Sequence, residues 1–182
     1  STQAAPDSCT VVLYGDSILN GGYGGNHRLP EPPAATLRRL RPRYLVKDRT
    51  AAGETATARS STFSTEQRSS HYVVIAHGIN DAAQGLAVGP PLRRMVQQAQ
   101  REGRDVILTG LSRTVVQVPG RASADSDIRL LAKETGAAFV DWDAVSWRAG
   151  DMADPIHPGK PYSDRLVERI VQVLDQRAPQ CR

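Results

Sequence analysis

The 182-residue chain is 40% hydrophobic and 23% charged, with a formal net charge of +4, the make-up of a globular domain with one core. Its longest apolar runs, residues 73–76 and 106–108, are too short to cross a bilayer, so insertion in a membrane is not expected. Aromatic residues make up only 5% and do not interleave with Arg38, Arg39, Arg41 and Arg43; a base-stacking nucleic-acid surface is therefore not expected, and these arginines read as a solvated helix face with at most a mild preference for anionic surfaces. The start, residues 1–8, reads as a flexible or processed terminus with no leader peptide left in it. Residues 10–14 (TVVLY) form an apolar run of strand length, suited to burial on both faces, and Gly15 lets the chain turn after it. Residues 32–41 read as a helix opened by proline, and 44–47 and 72–76 (YVVIA) as the second and third strands. A helix over 91–102 ends at Gly103, and a fourth strand over 105–109 (DVILT) ends at Gly110. Residues 126–135 form a helix ended by Gly136, 137–141 the fifth strand, and 162–177 an amphipathic helix that covers one sheet face.

Strands alternating with helices predict βαβ units in one domain over 1–182: a flavodoxin-like three-layer α/β/α sandwich around a five-stranded parallel sheet. Loop 112–122 is irregular and is expected near a site mouth. In such sheets ligands bind beyond the carboxyl ends of the strands, and four segments with chemical potential fall there. After strand one comes Gly15-Asp16-Ser17-Ile18, where a serine hydroxyl is exposed at a tight turn; alone, it fits a helix N-cap equally well. After strand two comes Gly53, whose backbone N–H can approach a ligand closely, although a lone glycine is usually just a turn. After strand three comes Gly78-Ile79-Asn80-Asp81, in which the Asn80 amide can donate to an oxyanion or cap a helix, and Asp81 reads as local structure. Before the last helix comes Asp154-Pro155-Ile156-His157-Pro158, whose spacing lets a carboxylate orient an imidazole; Asp151 is the more distant rival. Together they supply a nucleophile (Ser17), a base (His157), an orienting acid (Asp154) and three oxyanion donors: the Ser17 and Gly53 N–H groups and the Asn80 amide.

These blocks resemble the SGNH or GDSL hydrolases: Gly15-Asp16-Ser17, Gly53, Gly78-x-Asn80-Asp81, and Asp154-x-x-His157-Pro158 match, with Ile18 in place of the usual leucine. The resemblance spans nearly the whole chain, and within the family it is to the compact thioesterase, lysophospholipase and arylesterase group. It implies the flavodoxin-like fold, a Ser17–His157–Asp154 triad, and an oxyanion hole from Ser17, Gly53 and Asn80.

The expected function is a serine esterase acting on small or short-acyl esters, acetyl esters foremost, through an acyl-serine and without metal or organic cofactor. A shortage of large aromatics argues against a deep lipid tunnel. Trp142 and Trp147 read as core or as a sugar platform, and Tyr23 as part of the mouth. Two alternatives stand beside it: an O-acetyltransferase or deacetylase of a cell-surface polysaccharide, and a non-catalytic polysaccharide-binding module. A small-molecule or carbohydrate ester is the expected partner of a monomer. Cys9 and Cys181 fit no metal site; if the first strand and last helix are neighbours they can form a disulfide, which favours an extracytoplasmic location, and otherwise they are two unrelated thiols.

Overall fold

A computed structural model describes residues 8–182, so all but the last residue of the expected loose start, 1–8, lies outside the described residues. Seven strands are found among them: β1 (Thr10–Gly15), β2 (Gly22–Tyr23), β3 (His27–Arg28), β4 (Leu45–Asp48), β5 (Tyr72–Ala76), β6 (Asp105–Thr109) and β7 (Ala138–Val140). Five form one parallel sheet in the order β4-β1-β5-β6-β7, the flavodoxin-like order, while β2 and β3 make a separate antiparallel hairpin. The helices are α1 (Ser17–Asn20), α2 (Pro33–Leu40), α3 (Ala56–Phe63), α4 (Ile79–Ala83), α5 (Gly89–Arg101), α6 (Arg121–Thr135) and α7 (Lys160–Arg177). They pack in two groups, α2 on α7, and α3 on α5 with α5 on α6.

The core follows directly from the apolar runs. Val11 to Tyr14, Tyr72 to Ala76 and Val106 to Leu108 are buried in the three central strands, which have helices on both sides. Helix α7 buries Tyr162, Leu166, Val167, Ile170, Val171 and Leu174, spaced as one helical stripe, and α5 buries Leu92, Met95, Val96 and Ala99 in the same way. Trp142 is core, 2% exposed, with its indole N–H donating to the Leu166 carbonyl, so it offers no sugar platform. Helix α6 begins five residues earlier than the sequence suggests, because its first turn is polar and carries no apolar period to read.

Cys9, just before β1, is joined to Cys181, just after α7, as a disulfide. The basic cluster is engaged locally: Arg39 pairs with Glu31, Arg41 with Asp175, and Arg38 and Arg43 donate to the carbonyls of Val46 and Gln180. No helix among the described residues is long and apolar enough to cross a membrane.

Candidate active site

Sheet register assembles the site. β1 lies between β4 and β5, and Gly15 stands opposite Ala76. Past β4 the chain stays alongside β1, with Ala51 N–H donating to the Gly15 carbonyl at 2.9 Å. The segments after β1, β4 and β5 therefore emerge side by side. Gly53 turns there at φ +78°, a conformation that favours glycine. Gly78 turns at φ +139°, and a Cβ on it would meet Leu111 Cδ2 at 2.9 Å. Both turns thus require the residue they have.

Ser17 opens α1, where Asp16 caps the turn by accepting the Ile18 N–H at 3.0 Å. Ser17 Oγ lies 2.9 Å from His157 Nε2. His157 Nδ1 lies 2.7 Å and 2.9 Å from the two oxygens of Asp154. An ionised carboxylate only accepts, so Nδ1 carries the proton and Nε2 presents its lone pair to the serine hydroxyl. The Asp-x-x-His spacing works because Asp154 Oδ1 also accepts the main-chain N–H groups of Ile156 (2.8 Å) and His157 (2.7 Å), folding the turn around the carboxylate. Oδ2 accepts the Gly24 N–H at 2.9 Å, which ties the β2–β3 hairpin to the same group. Burial acts to raise the Asp154 pKa, but these backbone N–H groups and the imidazole outweigh it and hold the pKa at about 2. Asp151 is committed elsewhere, to Arg165 at 2.5 Å.

Ser17, Gly53, Asn80 and His157 line one open cleft of about 480 Å³, walled by Asn20 at the end of α1 and by Tyr23, Asn26 and His27 of the segment after it. The Asn80 amide donates one hydrogen to the Glu54 carbonyl at 3.2 Å. The arrangement is competent for proton transfer from a serine hydroxyl to an imidazole at a rim carrying hydrogen-bond donors. Among the described residues no group of three or more His, Cys, Asp or Glu side chains is arranged to hold a metal ion.

Other expectations fall differently. Loop 112–122 touches the His157 loop, with the Val115 and Val116 N–H groups donating to the Pro155 carbonyl. Its residues, together with Trp147, line a separate hollow and not the Ser17 cleft. Asp81 is structural, as expected: it is fully buried and accepts from Ala56 N–H (2.8 Å) and Thr57 N–H (3.3 Å) at the start of α3. Sequence reasoning passed over Glu54 and His77, which sit beside Gly53 and Gly78 and meet at 2.8 Å. A carboxylate and a histidine adjoining two site glycines were the available signal.

The family model of GDSL-like lipases and acylhydrolases matches residues 13–161. Among solved structures, TesA is 27% identical with a TM-score of 0.75, over 92% of this chain and 99% of that chain. The psychrotrophic esterase EstA from Pseudoalteromonas sp. is 16% identical with a TM-score of 0.78, over 93% and 98%. Est24, a carbohydrate acetylesterase from Sinorhizobium meliloti, is 15% identical with a TM-score of 0.72, over 92% and 98%; these two show the shared fold alone. No curated protein is significantly similar to the chain. With the family model running from β1 into α7 over the segments that meet at this rim, the chain belongs to the GDSL-like lipase/acylhydrolase family.

Proposed function

We propose that the protein is a serine esterase that hydrolyses short-acyl esters, acetyl esters foremost, through a covalent acyl-serine. The observation that carries this reading is the 2.9 Å contact between Ser17 Oγ and a His157 imidazole whose other nitrogen is fixed by Asp154. In the first step Ser17 Oγ attacks the ester carbonyl carbon while its proton passes to His157 Nε2. The carbonyl oxygen becomes an oxyanion held by the Ser17 N–H, the Gly53 N–H and the Asn80 amide. Collapse breaks the bond to the alcohol, which leaves with the proton from His157. Water then gives its proton to His157 and attacks the acyl carbon. The second collapse breaks the acyl–Ser17 bond, returns the proton to Oγ and releases the acid.

The open cleft with asparagine, histidine and tyrosine on one wall favours a short acyl group on a polar alcohol, a sugar hydroxyl included, over a long lipid chain. The whole relay comes from one chain, so a monomer suffices, and the Cys9–Cys181 disulfide favours an extracytoplasmic setting.

The test is a panel of p-nitrophenyl and sugar esters of increasing acyl length, run on wild type and Ser17→Ala. Turnover should be fastest with acetyl and should fall by at least ~10³-fold in Ser17→Ala. Equal turnover in the two proteins removes the proposal. Formation of an acyl-sugar when a sugar acceptor is added, in preference to free acid, replaces hydrolysis with transfer.

A further inference from the structure

The Gly53 turn and the Asn80 amide follow different strands, and the Ser17–His157–Asp154 relay holds neither. Two other side chains do. Glu54 follows Gly53 directly, and its main-chain carbonyl accepts the Asn80 amide. Its carboxylate accepts from His77 Nε2 at 2.8 Å and from Arg59 Nε at 2.7 Å. Burial acts to raise the Glu54 pKa, but these two hydrogen bonds outweigh it and hold it below the usual carboxylate range. His77 comes immediately after β5, three residues before Asn80, and is 1% exposed. Its Nε2 must carry the hydrogen, because the carboxylate has none to give. Its Nδ1 is buried with no hydrogen-bond partner. The imidazole also acts electrostatically on Asp16, the buried neighbour of Ser17, whose pKa burial pushes up to about 6. One imidazole and one carboxylate thus sit between the three strand ends that carry the proposed donors.

A primary amide has two hydrogens. The one given to the Glu54 carbonyl sets the rotation of the Asn80 side chain and leaves the second for the cleft. Any shift of Glu54 therefore moves the Gly53 N–H and the Asn80 acceptor together. Oxyanion donors act only when held to within roughly 0.5 Å of the position where charge develops. Surface exposure and chain flexibility work against that tolerance, since Gly53 itself is exposed and has no neighbour within 4 Å of where a side chain would be. Main-chain bonds hold the two sides of the turn, from the Ala51 N–H to the Gly15 carbonyl and from the Glu54 N–H to the Ala51 carbonyl; Glu54 and His77 add the link from this turn to the end of β5.

We infer that Glu54 and His77 are positioning residues, a hydrogen-bonded pair that locks the Gly53 N–H and the Asn80 amide into one oxyanion-binding unit. The inference rests on the esterase reading above. It gives the pair a share in stabilising the tetrahedral intermediate and none in binding the ground-state ester, so its signature is on kcat and not on KM.

The experiment is steady-state hydrolysis of p-nitrophenyl acetate by the whole chain as wild type, Ser17→Ala, His77→Leu, Glu54→Ala, His77→Leu/Glu54→Ala and His77→Gln. Each of His77→Leu and Glu54→Ala should lower kcat by roughly 10- to 100-fold with KM within about threefold of wild type. The double variant should lose no more than about threefold beyond the more impaired single, because the two side chains act as one device. His77→Gln, whose amide nitrogen can still donate to Glu54, should return kcat to within about fivefold of wild type. Losses that multiply, losses confined to KM, or singles within about twofold of wild type overturn the inference. Should His77→Leu fail to fold, Glu54→Ala carries the kcat and KM comparison alone, since the main-chain carbonyl that meets Asn80 survives it. A wild type as slow as Ser17→Ala sinks the esterase reading itself and this inference with it. Normal Ser17 dependence with unimpaired Glu54 and His77 variants sinks only the inference.

Discussion

Asp154 shows how much a single carboxylate can organise. One oxygen gathers two main-chain N–H groups of its own turn, and the other takes the Gly24 N–H and shares the imidazole. In Asp154→Asn the amide oxygen can keep the two local N–H groups, but the amide nitrogen then faces the Gly24 N–H and the Nδ1 proton. Two donors cannot bond to each other, so the imidazole is driven to carry its hydrogen on Nε2, where it cannot accept the serine proton. The expected outcome is a fall in kcat of roughly 10²- to 10⁴-fold with a folded protein, measured on p-nitrophenyl acetate. A fall of less than about fivefold excludes this role for Asp154. The candidate site was legible at this scale wherever a residue's place follows from its own strand end: Ser17 after β1, Gly53 after β4, Asn80 after β5. Glu54 and His77 were not, because their meeting depends on β1 lying between β4 and β5, which no local pattern states.

Among the elements, α3 is the clearest case of structure imposed from outside. Its sequence, ATARSSTF, has no apolar stripe and buries only Ala56 and Phe63. Its first turn is held by the Thr55 hydroxyl, which accepts the Ala58 N–H, and by Asp81 from 25 residues away. That distance is why the helix was invisible in the sequence, while β1, β5 and β6, apolar along their whole length, were plain. The hairpin of β2 and β3 was missed for a related reason: two-residue strands carry too little alternation to read, and the bond from Gly24 to Asp154 spans 130 positions. Asp81→Ala leaves two N–H groups without an acceptor at the start of α3. It should cost about 1–3 kcal/mol in urea unfolding. Because the Gly53 turn leads into this helix, kcat should fall as well; a stability change below about 0.5 kcal/mol rules out the capping role.

At the scale of the whole molecule, two devices brace the amino-terminal end of the sheet. Glu102 is buried between Arg68 and Arg104, at 2.6 Å and 2.8 Å. Burial acts to raise its pKa, but the two guanidinium groups outweigh it and hold it at about 2, below the unfolded value of 4.5. The ionised cluster therefore contributes fully above the unfolded value, and its contribution is lost as pH falls toward and through the folded one. Glu102→Gln, which takes a carboxylate away from two buried guanidinium groups, should cost roughly 3–5 kcal/mol at neutral pH and flatten the stability profile between about pH 4 and 2. An unchanged acid profile excludes the cluster as its source. The disulfide closes a separation of 172 positions. Cys9→Ser/Cys181→Ser should lower unfolding free energy by about 2–5 kcal/mol. It should leave kcat intact, because β1 separates the bond from Ser17 by about 20 Å, six residues at about 3.3 Å each. A matching loss of kcat shows instead that the two ends of the sheet are mechanically linked.

The polarity of this arrangement has a practical side. Both ends of the described fold are riveted together at the pole opposite the cleft, so a linker, bead or fusion partner joined at Arg182 leaves from behind the proposed site. Bulky or insoluble esters, such as acylated polymers, then meet an unobstructed mouth.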